Sequence, residues 1–189
     1  NYPSYDPNEP YALTDEELYN SIMAITDDEQ RNRAMSRARQ KQWRNKAVND
    51  LYEPGSVFKI VTASAAIDSG SETLYSTFNC SGSVQVENRI MKCAQTWGHG
   101  HETFSQALIN SCNPAFISMG AKMGKDTFFD YFYSFGLAEK TGIDLPGEQN
   151  SLHYTAENHT AVTLASCAFG QSNKITPIQM ITAVAAAVN

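Results

Sequence analysis

Ser56 and Lys59 stand three residues apart directly after Pro54-Gly55, where the pattern predicts a helix start. Side chains at that spacing project from one helix face within reach of each other, which sets a hydroxyl nucleophile beside an amine able to serve as its base. The S-x-x-K spelling carries little by itself, since about 0.7 matches are expected by chance from the Ser and Lys content of this chain. Its position carries more. A serine after Pro-Gly often only caps the helix, and capping would account for Ser56 but not for Lys59. A first-turn lysine faces the positive end of the helix dipole, at a place where a capping box would put Glu or Gln. Such breaches of local rules gather at functional positions, and dipole and desolvation together favour the neutral amine that a general base requires.

Ser111-Cys112-Asn113 forms an S-x-N tripeptide in the predicted link between two helices, where side chains can point into a cleft. Asn113 also precedes Pro114, which makes it a good helix N-cap in its own right. Four cysteines, Cys80, Cys93, Cys112 and Cys167, are too few for a disulfide scaffold and lack C-x-x-C pairs. A metal reading gathers Cys93, His99, His101 and Cys112, but their spacings match no standard zinc site. No metal and no cofactor is assigned. The thiols read as partly buried apolar groups, or as one disulfide joining Cys112 to Cys93 or Cys80.

The elements that must position these residues follow from periodicity. Residues 1–13, with Pro3, Pro7 and Pro10, read as an extended surface segment. Thr14 resembles an N-cap, followed by a helical stripe of Leu18, Ile22 and Ile25, and a second helix continues through the basic stretch to Lys46 after a break near Thr26. Val57 to Asp68 predicts a buried helix ending at Ser69-Gly70, and residues 78–93 a small hairpin around Glu87-Asn88. Further helices are expected at 104–110, from Asn113 to Gly124, at 126–135 and from Pro177 to Val188, with 142–148 as an irregular loop. The helix at 126–135 packs six aromatics into eight residues, an all-round pattern that argues for burial.

The chain has 189 residues, a hydrophobic fraction of 42% and a net charge of −6, which suits about one globular domain and argues against nucleic acid as a partner. Seven of its 14 positive residues, Arg31, Arg33, Arg37, Arg39, Lys41, Arg44 and Lys46, sit together after the acidic Asp27-Asp28-Glu29 and read as a solvated, charge-segregated helix. No apolar run approaches the 18 or more residues of a membrane span.

Asp50-Leu51-Tyr52-Glu53-Pro54-Gly55-Ser56-Val57-Phe58-Lys59, Ser111-Cys112-Asn113-Pro114, Thr141-Gly142-Ile143-Asp144-Leu145-Pro146-Gly147-Glu148, Phe169-Gly170-Gln171 and Thr176-Pro177-Ile178-Gln179 follow one another in the order seen in class B penicillin-binding proteins. The opening Tyr2 to Asn8 is similar to the start of their transpeptidase domain, and residues 11–43 are the least family-like. These proteins are the monofunctional D,D-transpeptidases that cross-link peptidoglycan in division and sporulation. The resemblance implies an α+β, β-lactamase/transpeptidase-like fold, present mostly as its helical part with a small hairpin. It implies Ser56 as nucleophile, Lys59 as base, Ser111 as proton relay and Asn113 as a substrate-binding residue. Peptidoglycan stem peptides and β-lactams would be the ligands, division or sporulation proteins the partners, and the extracytoplasmic face of the cell membrane the location.

One departure bears on this reading. The family's K-T-G motif lies on an inner strand after the Gly170-Gln171 and Thr176-Pro177 segments, whereas Lys140-Thr141-Gly142 precedes both and reads as a coincidence of spelling. The expectation is therefore residues 1–189 as a partial transpeptidase domain, without the K-T-G strand, part of the sheet, the N-terminal non-catalytic domain and the membrane anchor, and inactive alone. Rival readings are a serine β-lactamase or β-lactam sensor of the same fold, although Glu157 is followed four residues later by Ala161 and not by the Asn of an E-x-x-x-N loop. A non-catalytic interaction module of a division or sporulation complex is the rival from another class.

Overall fold

Nine α-helices and four short strands follow one another among the described residues, and they divide into two units, 1–49 and 50–189. The computed structural model describes residues 5–189, so Tyr2, Pro3 and Ser4 of the family-like opening lie outside the described residues.

The first unit holds α1 (Glu16–Met23), α2 (Asp28–Trp43) and α3 (Lys46–Asn49). Asp15, not Thr14, caps α1 by accepting from the Leu18 amide. Thr14 is drawn away because its amide and hydroxyl both donate to Gln42 Oε1, at 2.9 and 3.1 Å. The residues before α1 run beside α2: Trp43 Nε1 donates to the Pro10 carbonyl, Gln42 Nε2 to that of Ala12 and Arg39 Nε to that of Tyr11. The basic helix carries ion pairs at one-turn spacing, Arg31 with Asp28 and Arg33 with Glu29.

In the second unit a 3₁₀ turn, Gly55–Phe58, runs into α4 (Lys59–Asp68). Then come β1 (Thr77–Cys80), β2 (Ser83–Val86), β3 (Arg89–Lys92), β4 (Gly100–Thr103), α5 (Phe104–Ile109), α6 (Asn113–Met123), α7 (Lys125–Ser134), α8 (Ala161–Ala168) and α9 (Pro177–Val188). The expected hairpin is β2 with β3, in the register Ser83 to Lys92 and Val86 to Arg89. The strand β1 leaves it and pairs antiparallel with β4, an unforeseen strand whose four residues hold too little alternation to be read. The helix α8 was likewise unforeseen.

One apolar core runs through this unit, with Phe58, Phe116, Phe129, Phe132 and Met119 among its fully buried side chains. The aromatic helix α7 buries Phe128, Phe129 and Phe132, as its composition demanded. Helices α6 and α8 touch at Gly120, where an added Cβ would stand 2.7 Å from the Ala168 Cβ. The hydroxyl of Thr62 on α4 donates to the Ala168 carbonyl at 2.9 Å, so the helix that carries Lys59 is tied to α8.

Candidate active site

The Lys59 side chain is buried, and its Nζ lies 3.3 Å from Ser56 Oγ, 2.7 Å from the Ser111 carbonyl, 2.8 Å from Ser111 Oγ and 2.6 Å from Asn113 Oδ1. All four residues named from the sequence therefore meet at one nitrogen. Burial pulls the amine below the usual lysine range to about 8. An ammonium has three protons to donate, and the three shorter contacts use them. A neutral amine has two protons, enough for the Ser111 carbonyl and Asn113 Oδ1, and its lone pair is then open to a hydroxyl, that of Ser56 or Ser111.

Ser56 does not cap a helix: it lies inside the 3₁₀ turn, whose N-cap position, Pro54, makes no side-chain cap bond. Gly55 takes a positive φ of 57°, and its amide donates to the Gly170 carbonyl at 2.8 Å. Gly170 has φ 91°, and a Cβ there would stand 1.9 Å from the Gly55 carbonyl oxygen. Two glycine backbones in contact thus set the turn that aims Ser56.

Ser111 has φ 52°, a left-handed conformation uncommon for a residue with a side chain. It occupies the C′ position of α5 in a Schellman motif: the Cys112 amide donates to the Ala107 carbonyl at 3.0 Å and the Ser111 amide to that of Leu108 at 3.1 Å. Glycine is usual there. Serine in that place supplies the hydroxyl at Lys59 at some cost in backbone strain.

Asn113 is the first residue of α6, not its cap, and Cys112 takes the cap position without a side-chain bond. The asparagine amide is spent on tertiary contacts instead, Oδ1 accepting from Lys59 and Nδ2 donating to the Lys92 carbonyl at 3.0 Å. Lys140-Thr141-Gly142 lies in irregular structure and not on a strand. The Thr141 amide and hydroxyl and the Gly142 amide donate to the Glu148 carboxylate, closing the loop on itself.

Beside Ser111 and Asn113, the ligand atoms of Cys80, Cys93, His99 and Cys112 lie within 4.8 Å of one another, with all four cysteines free. Cys80 stands in this group in place of the expected His101, which is exposed on β4.

The fold is that of penicillin-binding transpeptidase domains: Pseudomonas aeruginosa PBP2 superimposes with a TM-score of 0.73 at 24% identity, covering 96% of this chain and 41% of that one. Residues 1–189 match the family described as penicillin binding protein transpeptidase domain, and the chain belongs to that family. Among its relatives, stage V sporulation protein D of Bacillus subtilis (strain 168) is 42% identical over 147 residues, covering 77% of this chain and 23% of the relative. Penicillin-binding protein PbpB of Mycobacterium tuberculosis is 31% identical over 163 residues, covering 84% of this chain and 24% of the relative. The chain thus spans about a quarter of the length of these curated relatives. No helix among the described residues is long and apolar enough to cross a membrane.

Proposed function

We propose that this chain carries the nucleophile, base and S-x-N residues of a serine D,D-transpeptidase that cross-links peptidoglycan. The observation that carries the reading is the convergence of Ser56 Oγ, Ser111 Oγ and Asn113 Oδ1 on the Lys59 amine. Ser56 Oγ attacks the carbonyl between the two terminal D-alanines of a stem peptide while its proton passes to Lys59 Nζ. The Ser56 amide, at the first turn and unused by the helix, gives one arm of the oxyanion hole. As the C–N bond breaks, the proton travels by way of Ser111 Oγ to the departing amine, leaving an ester on Ser56. Asn113 Oδ1 orders the base and Nδ2 gives one proton to the Lys92 carbonyl, which leaves its second N–H for the substrate's peptide groups. An amine of a second stem peptide then attacks the ester, forming the cross-link and returning a proton to Ser56.

β-Lactams acylate the same hydroxyl. The complete protein works on the extracytoplasmic face of the cell membrane, held by a segment outside these 189 residues, among division or sporulation cell-wall proteins. Labelling of the full-length protein with a fluorescent penicillin tests the reading. Ser56→Ala abolishes labelling while the fold persists, and undiminished labelling would overturn the assignment. An adduct that survives for hours sets a transpeptidase apart from a β-lactamase, which would release it within seconds.

A further inference from the structure

We propose that Cys80, Cys93, His99 and Cys112 bind one zinc ion and that this ion braces the S-x-N segment against the β-strands. The four ligand atoms already lie within 4.8 Å of one another. Cys93 Sγ and His99 Nδ1 are 3.6 Å apart. That separation matches the edge, about 3.6 Å, of a tetrahedron built from a Zn–S bond of about 2.3 Å and a Zn–N bond of about 2.0 to 2.1 Å. Cys80, Cys93 and Cys112 are 2%, 4% and 0% exposed, as in a closed structural site where four protein ligands leave no position for water.

The surroundings fit a cation. Glu102 is buried, and its Oε2 has no hydrogen-bond partner although it lies 3.8 Å from His99 Nδ1. Its other oxygen accepts from Asn110 Nδ2 at 2.7 Å, which fixes the carboxylate in place. A carboxylate oxygen so placed is costly unless a positive charge stands near it, and a dication among the sulfurs supplies that charge.

The loops that bring the ligands together are interlocked. A Cβ on Gly82 would stand 2.1 Å from the Thr96 carbonyl oxygen, and one on Gly98 would stand 2.1 Å from that of Cys80. The Cys93 amide closes onto the Gly82 carbonyl at 2.9 Å. Three sulfurs and one imidazole in a tetrahedral cage select zinc over the hard, oxygen-seeking dications. On binding, each thiol releases a proton to solvent as its S–Zn bond forms, while neutral His99 donates the Nδ1 lone pair.

The site joins four chain segments: the end of β1, the residue after β3, the loop before β4 and the link between α5 and α6. Cys112 lies between Ser111 and Asn113, and Cys93 follows Lys92, whose carbonyl holds Asn113. The metal thus acts on position and takes no part in bond making at the substrate. Only its effect on acylation rests on the function proposed above.

Metal analysis of the full chain, purified with reductant, should find about one zinc per molecule. Replacement by Co²⁺ should give the strong visible bands of a tetrahedral thiolate site. Cys80→Ser and His99→Ala should lose the metal, whereas His101→Ala should keep it. Because a variant can fail to fold, extraction of zinc from the parent by a strong chelator is the parallel measurement. It should lower the thermal midpoint and slow β-lactam acylation about tenfold or more, both restored by zinc. Reduced parent protein that takes up neither Zn²⁺ nor Co²⁺, retention of zinc by both ligand variants, or a persistent disulfide within the cluster would each overturn the site. Metal content and the cobalt spectrum read the site whether or not the chain reacts with penicillin.

Discussion

Lys59 holds Ser111 by both of that residue's oxygens, the carbonyl at 2.7 Å and the hydroxyl at 2.8 Å, across 52 positions of sequence. One bond fixes where the backbone of the S-x-N segment lies, and the other fixes where its hydroxyl points. In the proposed mechanism, base and relay are therefore positioned by the same pair of contacts.

The Ser111→Gly variant separates these two roles. Glycine suits the left-handed C′ position better than serine, so stability should remain within about 1 kcal/mol of the parent. Acylation should fall by about 10²-fold or more with the hydroxyl gone. Thermal melts and acylation rates measured on the same preparation check both, and an unchanged rate would remove Ser111 from the relay.

Acylation should rise with pH, by about tenfold per unit below the lysine titration and levelling above about 8, because burial lowers Lys59 to about 8 and only the neutral amine accepts a proton. The same lowering affects stability. Between about 8 and the unfolded lysine value of about 10.4 the unfolded chain binds more protons than the folded one, so this residue's contribution improves as pH rises through that window. A pH profile of acylation by intact-mass spectrometry is the direct test, and a rate that is flat from pH 6 to 9 would rule the lysine out as base.

Asn113→Asp exchanges a neutral acceptor 2.6 Å from Lys59 Nζ for a charged one. The carboxylate should favour the ammonium by one to three pH units, moving the acylation profile upward and lowering the rate near neutrality by about 10- to 10³-fold. Asn113→Ala lacks that charge and should leave the midpoint closer to the parent's. Equal profiles for the two variants would show that the asparagine does not bear on the base.

Gly170→Ala would place a Cβ 1.9 Å from the Gly55 carbonyl oxygen at a backbone φ of 91°. Overpacking and backbone strain together should cost about 2 to 5 kcal/mol in denaturant unfolding. Whatever folded protein remains should label slowly, because Gly55 sets the turn of Ser56. Parental stability would mean that the two turns separate at little cost.

The Glu148 carboxyl feels burial, which raises it, but hydrogen bonds from Thr141 and Gly142 outweigh that and hold it below the usual range. Its contribution is present above the unfolded carboxyl value of about 4.3 and is lost as pH falls through the lower folded value. Glu148→Gln should therefore lower the thermal midpoint at neutral pH and flatten its fall in acid. Parallel acid limbs for the two proteins would count against the loop closure.

Short-range rules account for the features that were legible from residue order alone. Ser56 and Lys59 share a face because they are one turn apart, and a first-turn lysine breaks the dipole rule whatever surrounds it. The aromatic content of 126–135 demanded burial, and Pro177 marked the start of the last helix. Tertiary structure decided the rest. Asn113 gave up the expected cap because Lys59 and the Lys92 carbonyl, 54 and 21 positions away, offered its amide better partners. The pairing of β1 with β4 brings Cys80 beside His99, and neither strand has enough residues to show a period. The ligands Cys80, Cys93, His99 and Cys112 stand at intervals that no helix or strand repeats, so only closure of the loops through Gly82 and Gly98 assembles them. Local periodicity records which face a residue is on, whereas contacts between distant segments depend on how the whole core closes.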